Sequence, residues 1–380
     1  MITIALVAGE ASGDQLGSAL IRAIREKNPA TRFAGIGGPL MKAAGMDCWW
    51  DCSQLSVMGL FEVISHLPRL IGLRRQLMRR LFELNPDVFI GIDAPDFNLG
   101  VEKKLKSKNI PTIHYVSPTV WAWRPGRVKT IARATDRVMC LYPFEPRYYQ
   151  QQSVATDYTG HPLADEIPYQ VSAESARAAL GLENAGRYIA LLPGSRLSEI
   201  EKLSAPMLDA AVIMSKRHPD IRFLMAAATE LIHDRFNSVL LDYPDVNCRV
   251  FTASSKDVMA ASDVVVCASG TATLEVMLVN RPMVVCYRLA GMTYQLVKWL
   301  KLVKTRYFSL PNILADEALV PELLQHEVHG QNIADGVFRW LDQPVQCEYL
   351  SQRFEQLHRQ LRIDAASTAA DVVLRHVEHR

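Results

Sequence analysis

Short apolar runs rich in β-branched residues recur along this sequence, and each gives way to a polar or glycine-containing turn and then to a helical pattern. That alternation is the signature of βαβ units, in which parallel strands are covered by the helices that connect them. A first series of predicted strands comprises Ile2–Ala8, Arg32–Ile36, Asp87–Ile92, Thr112–Val116 and Arg137–Leu141. A second comprises Tyr188–Leu192, Ile221–Ala226, Cys248–Phe251, Asp263–Cys267 and Met283–Tyr287. Between the series, Tyr158–Val171 holds Gly160-His161-Pro162 and Pro168 and reads as an interdomain link. The expected fold is α/β, with two Rossmann-like, doubly wound domains over residues 1–165 and 166–345 facing a cleft. Residues 346–380 are expected to form C-terminal helices that pack back on the N-terminal domain or on a partner subunit. A length of 380 residues suits that division. Beyond Tyr287 the parallel-strand pattern stops, and Tyr294–Lys304, Glu322–Gln325 and the segment from Gln352 onward look helical.

A formal net charge of +2 provides no broad basic field, so nucleic acid is not an expected partner. Cys48, Cys52, Cys140, Cys248, Cys267, Cys286 and Cys347 lie mostly in apolar runs, as the reduced core thiols of a cytoplasmic protein do. The N-terminal apolar run is uncharged and leads straight into Gly9 and Asp14, so it reads as a first strand and not as a signal peptide. No stretch reaches the roughly 20 apolar residues of a spanning helix, which makes the expected protein soluble or peripheral.

Doubly wound sheets bind their ligands beyond the carboxyl ends of the strands, so residues that directly follow strands deserve the closest reading. The first strand ends in Gly9-Glu10-Ala11-Ser12-Gly13-Asp14. Glu10, Ser12, Gly13 and Asp14 are candidate substrate contacts, since small residues at a strand-to-helix turn let backbone amides approach an anion. A tight turn with Asp14 as a cap would use the same residues. The spacing matches neither GxGxxG nor a Walker A loop, which counts against NAD and ATP. Asp93, in Asp93-Ala94-Pro95-Asp96-Phe97-Asn98, is a candidate general base just past a buried strand, with a turn role as its alternative. The loop His114–Arg124, with Trp121 and Trp123, is left without an assigned role.

In the second series Gly194, Ser195 and Arg196 follow a strand and precede a helix that opens with Ser198 and Glu199. Amide donors and a planar guanidinium there suit a diphosphate. Ser269, Gly270 and Thr271 begin another helix after a strand, and Glu275 one turn on is placed to accept the hydroxyls of a ribose. HExxH and CxxC spacings are missing, so neither a metal nor another cofactor is expected. Charge on a leaving diphosphate would then be met by Arg196, helix N-termini and amides.

If Leu67–Phe82 is helical, Leu70, Leu73, Leu77 and Leu81 share one face, Arg75 and Arg79 lie opposite, and Arg74 sits at the apolar edge. Leu70, Leu73, Arg74 and Leu77 are therefore candidate membrane contacts, and Met58, Leu60, Phe61, Val63 and Ile64 nearby add apolar surface. The competing reading is an ordinary amphipathic helix covering a Rossmann sheet.

Together Leu6–Asp14, Val57-Met58-Gly59 with Glu62-Val63, Gly91–Asn98, His114–Arg124, Leu192–Arg196, Ala268–Glu275 and Ser309-Leu310-Pro311-Asn312 resemble the lipid-A-disaccharide synthase family, in order over nearly the whole chain. The resemblance implies a GT-B fold and an inverting, metal-independent transfer of 2,3-diacylglucosamine from UDP to 2,3-diacylglucosamine 1-phosphate (lipid X). The products would be a β-1,6-linked disaccharide 1-phosphate and UDP. It further implies that Asp93 is the essential carboxylate, that Arg196 binds phosphate and that Asn312 lies near the donor. Partners would be UDP-2,3-diacylglucosamine, lipid X and the cytoplasmic face of the inner membrane, with a homodimer formed through C-terminal helices. Competing readings are another GT-B enzyme acting on UDP-N-acetylglucosamine, of the peptidoglycan transferase or 2-epimerase type, and a non-catalytic lipid or nucleotide carrier.

Overall fold

A computed structural model describes residues 1–55, 60–120, 126–252, 254–289 and 306–378, with only the backbone described over 60–67. Val57-Met58-Gly59, Trp121–Arg124 and the helix expected at Tyr294–Lys304 lie outside the described residues, as do the side chains of Glu62 and Val63. The chain divides into two units, Met1–Asp165 with Leu361–Arg380, and Glu166–Gln360.

The first unit is built on strands β1 (Thr3–Ala8), β2 (Arg32–Gly37), β3 (Asp47–Asp51), β4 (Val88–Ile92), β5 (Thr112–Tyr115), β6 (Arg137–Cys140) and β7 (Ala155–Tyr158). They form one parallel sheet in the order β3-β2-β1-β4-β5-β6-β7. Its helices include α1 (Ala11–Lys27), α2 (Pro39–Ala43), α3 (Leu60–Leu84) and α4 (Pro95–Lys106). Strand order reverses at β1, which pairs with β2 on one side and β4 on the other, and this opens a crevice beyond Ala8 and Ile92. The edge strands β3 and β7 escape the sequence pattern because they are only half-buried and need no continuous apolar run. A helix at Ala365–Glu378 closes this unit, placing Ala369, Ala370 and Val373 in one core with Leu20, Ile21 and Ile24 of α1. The Asp165 carboxylate caps its start, accepting the amides of Asp364 (3.0 Å) and Ala365 (2.7 Å).

Two of the four expected membrane contacts are corrected here. Leu73 (6% exposed) and Leu77 (0%) lie in the core with Leu81, Val7, Phe89, Val101 and Leu105. The periodicity that suits a bilayer also suits a sheet. Here the sheet claims the stripe, because α3 thereby covers apolar strand surface as well as its own, at about 25 cal/mol per Å². Leu70 and Arg74 remain partly exposed, and Arg75, Arg79 and Arg80 are exposed.

The second unit has β8 (Arg187–Leu192), β9 (Ile221–Ala226), β10 (Cys248–Phe251), β11 (Val264–Ala268), β12 (Met283–Tyr287) and β13 (Glu322–Leu324). All pairs are parallel, in the order β10-β9-β8-β11-β12-β13, and the order reverses between β8 and β11. Glu322–Gln325 is thus not the expected helix. Despite the helical propensity of Glu and Leu, Val285, Cys286 and Tyr287 pair with Glu322, Leu323 and Leu324, and Pro321 favours extended backbone before it. The parallel pattern accordingly runs one strand beyond Tyr287. Residues 346–360, expected among helices that pack back on the N-terminal domain or on a partner subunit, belong to the second unit. Ser351 accepts from Asn280 Nδ2 (2.8 Å) and Arg353 pairs with Glu317 (3.2 Å), which fastens the helix Pro344–Leu361 there.

Candidate active site

At the first reversal point, the loops after β1 and β4 touch. A Cβ on Gly9 would fall 2.5 Å from Ala94 Cβ, so only glycine permits the approach. Asp93 and Ala94 both take left-handed backbone (φ 50° and 42°), at about 1–3 kcal/mol each for non-glycine residues. The neighbourhood holds them there. The Asp93 amide donates to Tyr115 O (2.8 Å), and Asn98 Nδ2 donates to the carbonyl of Asp93 (2.8 Å) and more distantly to those of Ile92 and Val7 (both 3.3 Å). Burial pushes the Asp93 carboxyl above its ordinary range, Glu10 adds to that, and His114 and the Ala94 amide oppose it. The result is a partly buried carboxylate with more than usual basicity, which suits proton abstraction.

The turn after β1 divides in two. Glu10 and Ser12 are exposed, with Ser12 Oγ donating to Glu10 Oε1 (3.0 Å), and both remain accessible to a ligand. Gly13 and Asp14 are buried and drop out as substrate contacts. Asp14 is 3% exposed, and its carboxylate accepts the amides of Gly38 (2.8 Å), Leu40 (2.9 Å) and Met41 (2.9 Å), so it caps α2 instead. A cap on a neighbouring helix leaves no local sequence signal. Gly13 abuts Ala8 and Ile92, where a Cβ would already crowd the sheet at 3.2 Å from Ala8 Cβ.

At the second reversal point, Gly194 (φ 127°) turns the chain out of β8, and Arg196 stands at the N-cap of the helix Leu197–Arg217 with its side chain 77% exposed. The Ser195 amide (3.2 Å) and Arg196 Nη1 (3.3 Å) both donate to the Glu199 carboxylate. An anion therefore already sits on the donors assigned to a diphosphate. Glu199 was legible only as a residue of the helix start; its part as their occupant is a tertiary fact.

After β11, Gly270 (φ 140°) caps the helix Thr271–Leu278. Gly270 and Thr271 are exposed, while Ser269 Oγ donates to Phe308 O (2.8 Å). Burial raises the Glu275 carboxyl against the Ser255 hydroxyl and Lys256. Asn312 is corrected as a donor contact. It is 1% exposed and its amide is committed, donating to Val320 O (2.9 Å) and Glu322 Oε1 (3.0 Å) and accepting from the Val320 amide (2.9 Å). Glu322, which sequence reasoning missed, also takes the Ser309 amide (2.8 Å) and hydroxyl (2.6 Å) and so fixes the loop beside Ser269.

A model of the lipid-A-disaccharide synthetase family matches residues 4–373. The chain belongs to that family. It is 48% identical over 374 residues to the lipid-A-disaccharide synthase of Alkalilimnicola ehrlichii, covering 98% of this chain and 97% of that one. To the Xylella fastidiosa synthase it is 45% identical over 381 residues, covering 99% and 98%. Among solved structures, UDP-GlcNAc 2-epimerase from Neisseria meningitidis bound to UDP-GlcNAc superposes with a TM-score of 0.62 at 11% identity, over the whole of both chains. Acinetobacter baumannii MurG does so with 0.57 at 13% identity, over 98% and 99%. At such identities these neighbours establish the GT-B fold alone. As a lipid-A-disaccharide synthase, the chain is a glycosyltransferase of lipid A biosynthesis, and both reversal points stand at the strand ends where such α/β sheets hold ligands. A cavity of about 700 Å³ lies at the opposite end of the second sheet, beside Arg187, Asp263 and Arg281. The guanidinium of Arg281 is spent there on the carbonyls of Val171, Val279, Asn280 and Ala260.

Proposed function

We propose that this lipid-A-disaccharide synthase transfers 2,3-diacylglucosamine from its UDP conjugate to the 6-hydroxyl of lipid X, with inversion and without a metal. Asp93 takes the hydroxyl proton while the oxygen attacks the anomeric carbon, and the bond to UDP breaks. Arg196, the Ser195 amide and the helix start at Ser269–Thr271 hold the departing diphosphate, and Glu275 accepts the ribose hydroxyls. The observation that carries this reading is the Glu199 carboxylate on Ser195 N–H and Arg196: donors that satisfy one anion inside the fold can satisfy another from solution.

Peripheral attachment to the cytoplasmic face of the inner membrane belongs to the same reading. No helix among the described residues is long and apolar enough to cross a membrane. Leu70 and Arg74 keep partial exposure, and Phe82 and the other arginines of α3, Arg69, Arg75, Arg79 and Arg80, are exposed. A homodimer through the C-terminal helices is also part of it, with Val345 and Tyr349 exposed on the helix Pro344–Leu361.

The test is conversion of UDP-diacylglucosamine plus lipid X to disaccharide and UDP by purified protein in chelator. UDP release without acceptor, or equal use of UDP-N-acetylglucosamine, would overturn it, the latter in favour of a 2-epimerase or peptidoglycan-type activity. Binding with no turnover would favour a carrier.

A further inference from the structure

Beneath Asp93 lies a second pair of ionisable groups that the proposed reaction does not use. His114 on β5 and Glu102 on α4 are both 0% exposed, and His114 Nδ1 lies 2.7 Å from Glu102 Oε1. Their outer atoms, His114 Nε2 and Glu102 Oε2, are buried with no hydrogen-bond partner among the described residues. A buried pair of ionisable groups is a poor way to stabilise a core, because apolar residues of the same volume usually do as well. The unpartnered atoms make it poorer still.

What the pair joins is informative. Asp93 is gripped at its carbonyl by Asn98 of α4 and at its amide by the carbonyl of Tyr115, the last residue of β5. Glu102 is one helical turn beyond Asn98, and His114 directly precedes Tyr115. The two elements that hold Asp93 in left-handed backbone are therefore tied to each other one step below it. The tie crosses β4 at Gly91, the register partner of His114, where a Cβ would collide with Glu102 Oε1 and fall 2.9 Å from Asn98 Cβ. Glycine at a buried strand position gives up side-chain packing, and here it leaves room for the carboxylate.

We infer that His114 and Glu102 are a positioning pair for Asp93, a buried clasp between β5 and α4 that sets the orientation and the basicity of the carboxylate above it. The inference rests on the reading of Asp93 as the base. The electrostatics agree: His114 draws the Asp93 carboxyl down, against burial and Glu10. Around the pair, Asp136 works with burial to raise the Glu102 carboxyl against His114, and Lys106 is engaged with Asp136 at 3.1 Å.

The experiment compares full-length wild type, Glu102→Gln, His114→Gln and Asp93→Asn in the disaccharide assay, with folding checked by circular dichroism. Both buried variants are expected to lose about 10- to 100-fold in kcat, as a displaced catalytic group does, with KM for the donor held within about twofold. In His114→Gln the acid limb of kcat/KM should move to higher pH, because Asp93 loses a group that favours its ionised form. Folded variants with wild-type kcat and an unmoved acid limb would overturn the inference. Should neither variant fold, the imidazole ¹⁵N resonances of His114 decide: they should shift between wild type and Asp93→Asn, and identical resonances would overturn it. Asp93→Asn at near-normal rate would instead refute the base reading itself, so the two failures are separable.

Discussion

The two reversal points are built from the same parts and solve opposite problems. Each has a glycine-containing turn after a central strand and a second loop after the strand across the break. At the second unit's reversal point the left-handed positions are Gly194 and Gly270, because there the backbone amides are the working groups and a side chain would only obstruct them. At the first unit's reversal point, after β4, the left-handed positions are Asp93 and Ala94. A side chain is needed at that point, so the strain is accepted and tethers from Asn98 and Tyr115 hold it in place. Where a fold puts glycine and where it strains an ordinary residue therefore separates a site that binds through its backbone from one that acts through a carboxylate.

Replacing the side chain while keeping its shape tests this difference most sharply. Asp93→Asn should fold normally and lose about 10³-fold in kcat, within the range expected for a missing general base, as read by disaccharide formation. A variant with near-normal rate would make the first reversal point a scaffold. Arg196→Ala should cost about 10²-fold in kcat/KM and weaken UDP binding in calorimetry, while the melting temperature stays put because the side chain is mostly exposed. A smaller, reciprocal effect concerns the backbone. Gly270→Ala should destabilise by about 1–2 kcal/mol in urea unfolding, whereas Ala94→Gly should stabilise by about 0.5–1 kcal/mol by relieving its left-handed strain. Equal effects at the two positions would erase the contrast. Least in size is the response to Glu10→Gln. Glu10 helps to raise Asp93, and the base must be ionised to act, so removing that charge should move the acid limb of kcat/KM to lower pH. Movement to higher pH would mean that Glu10 does not face Asp93.

Ten of the thirteen strands among the described residues, the two-unit plan and the family motifs were readable in the chain. Buried parallel strands are continuous apolar runs, and loops that follow them carry glycine and polar residues for local reasons. Those local reasons also make Asp93, Arg196 and the Ser269–Thr271 turn visible, since each lies directly after a strand.

The rest depends on which surfaces meet. The stripe of Leu73 and Leu77 reads equally well as lipid-facing or sheet-facing, and only the apolar strands beneath α3 decide it. Asp14 caps a helix that begins 25 residues later (39 − 14), and Asn312 is consumed by Val320 and Glu322. Periodicity and turn chemistry act over a few residues, so the sequence by itself determined the strands, the turns and the chemistry on offer at each. Those buried hydrogen bonds join residues from 8 to 27 positions apart, and a polar side chain's partner is chosen only when the layers close. Tertiary structure alone therefore decided which carboxylates became struts and which stayed free to react.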